Sequence, residues 1–344
     1  MTDGAKSEDV KAGKSPARTM RRNPTMADLA RAAGVSKITV SRALADSPLV
    51  AETTRRRIQQ LARDRGYRLN VSARNFRRQR SNLIATIVEM TPSAGRTMLD
   101  PYPLALLGAI AQELAGVGYG VLLTTRQGMT ESFIHAADGV ILLGQGAHQS
   151  SVKLCDEMGV PLVVWGAGTD GDAHVIVGSD NVHGGASAAE HLLSTGRRRP
   201  VFVGNADHAE MAQRLRGFRD VLARRGIGPT CVTPNGWTMD AGAGAIDSLL
   251  ADKTAFDAVF ACSDLLAMGA IRALREHGVR VPEDVSVIGY DDTPLGAAFT
   301  PPLTSVRQNW LDGGALLARK ILALVDGRVA ASEKMPTSLI VRQT

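Results

Sequence analysis

Lys37, Ile38, Ser41 and Arg42 fall within six consecutive residues of a 344-residue chain. Each offers a different way to touch the edge of a base pair. An arginine can bond bidentately to guanine O6 and N7, and a branched apolar side chain can meet a thymine methyl. A lysine can reach guanine less rigidly, or hold a phosphate. Around these four lie the hydroxyls of Thr25, Ser36, Thr39, Thr54 and Tyr67. Such groups suit phosphate oxygens, which fix a protein on a duplex without reading its sequence.

Side chains of this kind work only on a helix that can enter a groove, and the surrounding spacing supplies one. Small Ala30 stands four residues before Gly34, and Val40 six residues after it. Two helices crossing near a right angle need that arrangement: a small residue for close approach, a glycine for the turn, an apolar plug beneath. Thr25 and Asp28 suit the start of the first helix. Ser36 suits the start of the second, whose N-terminal end carries Lys37, Ile38, Ser41 and Arg42 outward. A third helix is expected from about residue 51 to 65, with Ile58, Leu61 and Ala62 inward and Arg55, Arg56, Arg57 and Arg63 outward.

Charge agrees. Residues 1–80 hold 19 Lys and Arg against 7 Asp and Glu, a net of +12, whereas the whole chain is only +6. A basic head on an acidic body points to a polyanion as partner of the head. Residues 1–23 are polar and charged and read as a disordered basic tail. No apolar segment follows them and no 18-residue apolar run occurs, so neither an export signal nor a membrane anchor is expected. Three widely spaced cysteines suit a reducing cytoplasm and give no zinc or disulfide pattern. The seven histidines are scattered, and no G-x-S-x-G, P-loop or H-E-x-x-H occurs. No catalytic set, metal or cofactor is therefore expected.

From residue 82 onward, short apolar runs alternate with helical patterns. The predicted strands are 82–88, 120–124, 139–143, 161–165, 175–177, 200–203, 258–261, 285–289 and 303–306; the predicted helices are 104–117, 184–194, 212–225, 241–250, 264–277 and 310–325. Nearly continuous apolar strands separated by helices imply parallel sheets covered on both faces. Some 260 residues of this pattern imply two such subdomains.

The segment from Thr25 to Leu44, with its A-x-x-A-G-V-S-x-x-T-V-S-R core, resembles the DNA-binding head of the lac repressor family. The likeness continues through Thr53-Thr54-Arg55, Gly66-Tyr67, residues 70–76 and Val285-Ser-Val-Ile-Gly-Tyr-Asp-Asp292, so it spans about residues 24–344. The resemblance implies an all-α helix-turn-helix head at 24–68 and a hinge helix or linker at 69–81. It further implies an α/β periplasmic-binding-protein-like effector domain at 82–344, made of two doubly wound parallel-sheet subdomains. Subdomain one would take about 82–178 and 310–337, and subdomain two about 179–306 and 338–344. In the hinge, Asn70, Ala73 and Phe76 match minor-groove positions. Phe76 stands where the family has a leucine wedge, and Leu69 where it has proline.

The resemblance also places effector contacts. Arg214 matches an arginine that grips ligand hydroxyls or a carboxylate bidentately, and Asp291 an aspartate that accepts from hydroxyls. Trp237 and Trp310 match aromatics that lie over a sugar face, Tyr102 lines the first subdomain's wall, and Ser263 is a contact beside Asp264, which is expected to cap a helix. Gly166 falls where some sugar-sensing members carry aspartate, and residues 124–137 look clipped. The implied protein is a cytoplasmic, nucleoid-associated regulator that binds a pseudo-palindromic operator in double-stranded DNA as a homodimer or tetramer. A sugar or sugar derivative would release it. A corepressor-dependent repressor or an activator is the alternative, and a soluble sugar-binding protein or an enzyme a more distant one.

Overall fold

A computed structural model describes residues 24–67, 80–89, 98, 100–146, 150–157, 159–168 and 172–344. They fall into two compact units, one within residues 1–74 and one within 75–344. The hinge positions Asn70, Ala73 and Phe76, with Leu69 and the tail, lie outside the described residues.

The first unit is three helices: α1 (Met26–Ala33), α2 (Lys37–Leu44) and α3 (Glu52–Asp64). Thr25 and Asp28 form a reciprocal capping box on α1. Gly34 ends α1 at φ +64°, a left-handed conformation that costs an L side chain but not glycine. Ser36 caps α2 through the Thr39 amide at 3.1 Å. The core is Leu29, Val40 and Ile58, all fully buried, closed by Ala30, Ala33, Ala43, Val50 and Ala62. The expected outward arginines of α3 are not all idle. Arg57 donates to the Ala33 carbonyl at the end of α1 (2.8 Å), and Arg55 is partly buried between Glu52 and Asp46.

The second unit contains two six-stranded sheets among its described residues. In chain order the first half brings β1 (Leu83–Val88), α4 (Pro101–Gly116), β2 (Gly120–Thr125), α5 (Glu131–His135), β3 (Gly139–Leu143), α6 (Ser150–Asp156), β4 (Leu162–Trp165) and β5 (Val175–Ser179). The second half brings α7 (Asn181–Ser194), β6 (Pro200–Val203), α8 (Ala209–Ala223), β7 (Thr230–Val232), α9 (Met239–Ala251), β8 (Ala258–Ala261), α10 (Asp264–Glu276), β9 (Ser286–Asp291), α11 (Pro294–Ala297) and β10 (Thr304–Arg307). The chain then returns through α12 (Trp310–Val325) and β11 (Glu333–Met335) to end on β12 (Ser338–Ile340).

One sheet has the order β11-β5-β4-β3-β1-β2 and is parallel throughout. The other has the order β12-β10-β9-β8-β6-β7 and is parallel except for β12. The chain passes from one sheet to the other three times: after β5, after β10, and between β11 and β12. Those passages are tied together. The Ser179 hydroxyl donates to Gln308 Oε1 (2.6 Å), the Asp180 amide to the Met335 carbonyl (2.7 Å), and the Thr337 hydroxyl to the Asp180 carbonyl (3.2 Å). Between β2 and β3 the chain makes only a 3-10 turn at Arg126–Gly128 and the five-residue α5, which accounts for the clipped look of that stretch.

Candidate functional site

In the first unit, α2 turns Lys37, Ile38 and Arg42 to solvent, with Ser41 half-buried beside them. Ile38 is 64% exposed. Four of the hydroxyls selected for phosphate are Thr25, Ser36, Thr39 and Thr54. Of these, Thr25 already donates to Asp28 (2.7 Å), and Ser36 and Thr39 share a bond of 2.9 Å. Thr54 is half-buried, as is Tyr67, whose hydroxyl pKa is raised by burial.

In the second unit a cleft opens where the carboxyl ends of both sheets' strands meet the helices that follow them, the usual ligand position in α/β folds. It brings together Tyr102, Arg214, Trp237, Ser263 and Asp291, five of the six effector positions expected from sequence. Trp310 is not among the lining residues. It is buried as the first residue of α12, and its ring stands edge-on to Tyr102 at 6.1 Å. It therefore supports the aromatic wall of the cleft instead of forming it.

Arg214 sits in α8, which packs on α7 so closely that a side chain at Gly185 would overlap the Arg214 carbonyl. Its guanidinium lies 3.6 Å from the centroid of the Tyr290 ring. Nε donates to Asn181 Oδ1 (2.9 Å), and Nη1 to the Cys262 carbonyl (2.5 Å) with the Met211 sulfur at 3.6 Å. Only Nη2 is left for a ligand. Both paired N–H edges of the kind that grip a carboxylate bidentately therefore have one arm engaged within the protein. Asn181 also accepts from the Tyr290 hydroxyl (3.2 Å), whose pKa burial pushes up to about 12.

Asp291 ends β9 at φ +117°, a conformation rarely adopted outside glycine, and it accepts from Gln308 Nε2 at 2.6 Å. Such a backbone costs about 1–3 kcal/mol and persists where surrounding structure enforces it, often at ligand sites. Burial drives its carboxyl well above the usual range, while Arg214 draws it back. Through Gln308, Asp291 is one hydrogen bond removed from Ser179, so the cleft carboxylate reaches two of the three chain passages.

Asp264 does not cap its helix. Ser263 caps α10 through the Leu266 amide (3.3 Å), and Asp264 is a buried brace that accepts from the Thr293 amide (2.6 Å), the Thr293 hydroxyl (2.8 Å) and the Ser305 hydroxyl (2.5 Å). Burial pushes its pKa from 3.8 up to about 6. Its folded pKa lies above its unfolded one, so its contribution to stability is full below about pH 4 and is lost as pH rises through about 6. Asp284, held down at about 2 by Arg280, titrates outside that window. The stability difference between the wild type and Asp264→Asn is expected to fall as pH rises from about 4 to 6. Urea midpoints at several pH values measure it, and a flat difference would remove the burial argument.

Gly166 explains itself in space. The buried Gln145 side chain fills the volume a side chain there would need, and its Oε1 accepts from the Ala167 amide (2.8 Å). Sequence reasoning missed Gln145 and also Glu89, Asn181 and Gln308 as cleft residues. Each lies within two residues after a parallel strand, so the strand ends themselves were the available signal.

Among the described residues, no cluster of metal-binding side chains occurs and no helix is long and apolar enough to cross a membrane. Residues 25–70 match the family described as bacterial regulatory proteins, lacI family, and residues 189–344 match a periplasmic binding protein-like domain. The HTH-type transcriptional regulator CelR of Thermobifida fusca is 32% identical over 338 residues, covering 94% of this chain and 99% of that protein. The HTH-type transcriptional regulator GntR of Pseudomonas aeruginosa is 31% identical over 316 residues, covering 89% and 90%. Among solved structures, the lac repressor dimer bound to operator and the anti-inducer ONPF shows the same fold, with a TM-score of 0.83 at 23% identity over 94% of this chain and 99% of that one. A complex of CelR with cellobiose matches at a TM-score of 0.69 and 30% identity, over 93% and 99%. The chain belongs to the lacI family of bacterial regulatory proteins, whose members among these relatives are helix-turn-helix transcriptional regulators.

Proposed function

We propose that this regulator is a cytoplasmic repressor that binds a pseudo-palindromic operator as a homodimer and is released by a sugar-like effector. It has no catalytic role in this reading. The observation that carries it is the joining, in one chain, of a capped helix-turn-helix with a bare Lys37–Ile38–Arg42 face and a cleft built from Arg214, Asp291 and aromatic walls. Residues 24–68 would read DNA and 69–81 would form the hinge, with Asn70, Ala73 and Phe76 at the minor groove. Residues 82–178 with 310–337 and residues 179–306 with 338–344 would be the two halves that close on the effector. Lys37, Ile38, Ser41 and Arg42 would meet base edges, and Thr25, Ser36, Thr39, Thr54 and Tyr67 the phosphates.

Effector and operator can oppose each other only by the difference in effector affinity between the two conformations. Support for a sugar comes from CelR, which is solved with cellobiose. Fluorescence anisotropy with palindromic and scrambled duplexes tests the DNA half. Arg42→Ala is expected to lower operator affinity about 10- to 100-fold and to relax preference at one base step. Lys37→Ala, if it holds a phosphate, weakens all sequences alike and lowers the salt slope by about one. Equal affinity for palindrome and scrambled DNA would end the reading. The same titration with effector present gives the sign: tighter binding would make the ligand a corepressor.

A further inference from the structure

We propose that Gln145 is a specificity-determining residue of the cleft, donating its Nε2 N–H to a hydroxyl oxygen of the sugar. This rests on the reading of residues 82–344 as a sugar sensor and deepens it.

Gln145 follows β3 by two residues and stands between Gly144 at φ +92° and Gly146 at φ +71°. Both are left-handed conformations that glycine adopts at little cost. The turn is also crowded. A side chain at Gly144 would press on Glu89, and one at Gly146 would press on Glu89 and Ser150. The two glycines thus let the backbone pass close to Glu89 and leave Gln145 as the side chain this turn presents. It is 2% exposed, yet it lines the cleft and occupies the space that a side chain at Gly166 would need.

The two ends of its amide are treated differently. Oε1 accepts from the Ala167 amide at 2.8 Å, which fixes the direction of the group. Nε2 donates to no group among the described residues. Among those residues, the side-chain polar atoms sealed from solvent without a partner are Thr86 Oγ1 and Trp310 Nε1. Nε2 is not one of them, so it is reached through the cleft that Gln145 lines. A deeply buried donor without a protein partner costs free energy until water or a ligand meets it. A sugar hydroxyl suits the position, because it accepts from Nε2 and keeps its own hydrogen for an acceptor such as the adjoining Glu89. Arg214 and Asp291 reach the cleft from the other sheet's half, so a sugar that also meets Gln145 is held from both halves of the domain.

The full-length protein carries three tryptophans; Trp165 and Trp237 line the cleft and Trp310 packs on Tyr102, so intrinsic fluorescence reports occupancy. The test titrates glucose, galactose, xylose, ribose and cellobiose, then the monodeoxy forms of the sugar that binds, into wild type and Gln145→Met. The variant keeps the length of the side chain and loses the donor. It is expected to bind the parent sugar about 10-fold more weakly, the scale of one lost hydrogen bond in a buried site. One deoxy form is expected to show the same loss in wild type and to bind wild type and variant alike, since the partner of Nε2 is then already gone. Gln145→Glu, which keeps an oxygen for the Ala167 amide, carries the same comparison if Gln145→Met does not fold, and is expected to act through that same hydroxyl. A variant that binds the parent sugar as tightly as wild type overturns the inference and leaves the sensor reading intact. So does an equal loss for the parent and every deoxy form, which would make Gln145 a support for Ala167 only. Silence of the wild type toward every sugar overturns the sensor reading and this inference with it.

Discussion

Arg214→Ala is expected to abolish the effector response and to lower the stability of the 75–344 unit by about 2–4 kcal/mol, because each buried hydrogen-bond partner left unsatisfied costs about 1–3 kcal/mol. The size follows from what the guanidinium holds. Arg214 is 5% exposed and bonds to Asn181 and the Cys262 carbonyl while stacking on Tyr290. Without it, Asp291 keeps its strained backbone and its buried carboxyl but loses the charge that favours its ionised form. Asn181 loses its strongest donor, and the Cys262 carbonyl is left inside the protein without that partner. Arg214→Lys restores the charge yet not the flat stack or the two divergent donors, so it is expected to recover part of the stability and little of the response. Urea denaturation followed by tryptophan fluorescence gives the first quantity and effector titration the second. Operator affinity in the absence of effector should stay within a few-fold of wild type, because the DNA-reading residues belong to the other unit. A normal effector response in Arg214→Ala would take this residue out of the binding machinery altogether.

Most strands were legible because a strand covered on both faces carries a short, largely apolar run. Gly139–Leu143, Pro200–Val203 and Ala258–Ala261 have the bounds expected from sequence, β1, β2, β4 and β5 differ from it by one or two residues at one end, and β9 and β10 by one or two residues at both ends. Thr230–Val232, Glu333–Met335 and Ser338–Ile340 were missed. They are three-residue edge strands with mostly exposed or half-exposed side chains, and so carry no apolar run to see. The short helices Glu131–His135, Ser150–Asp156 and Pro294–Ala297 fail for a related reason: one turn or two gives no helical period. In the cleft, residue identity was readable and side-chain direction was not. The family resemblance put Trp310 over a sugar face, whereas its ring packs edge-on to Tyr102 and it is not among the residues lining the cleft. The fork expected of Arg214 depends on which nitrogens remain free, and that is decided by Asn181 and Cys262, far away in sequence. Gly166 had looked like a loss of ligand chemistry. In space it is the room that Gln145 needs.

Leu29→Ala tests the other unit and is expected to unfold it at room temperature. The described head runs only from residue 24 to 67, and Leu29 is one of three fully buried large side chains in its core. Truncating a buried leucine costs about 3–5 kcal/mol, partly as lost transfer energy and partly as an unfilled cavity. A helical unit of this size rarely has more than about 3–5 kcal/mol to lose. Ala30 and Ala33, the neighbours on α1, are too small to swing into the gap, and Val40 and Ile58 are β-branched with few rotamers to offer. Calorimetry should show the head transition missing, and operator binding should fall to the level of scrambled DNA. Effector titration by fluorescence should be unchanged, since all three tryptophans belong to the second unit. Ile38→Ala is the matched comparison. Its side chain is exposed, so calorimetry should be unaltered while operator affinity falls. Loss of DNA binding in both variants, with loss of the head transition in only one, separates a residue that builds the helix-turn-helix from one that reads with it. If Leu29→Ala still bound operator within a few-fold of wild type, the three-helix core would not be what holds the reading helix in place.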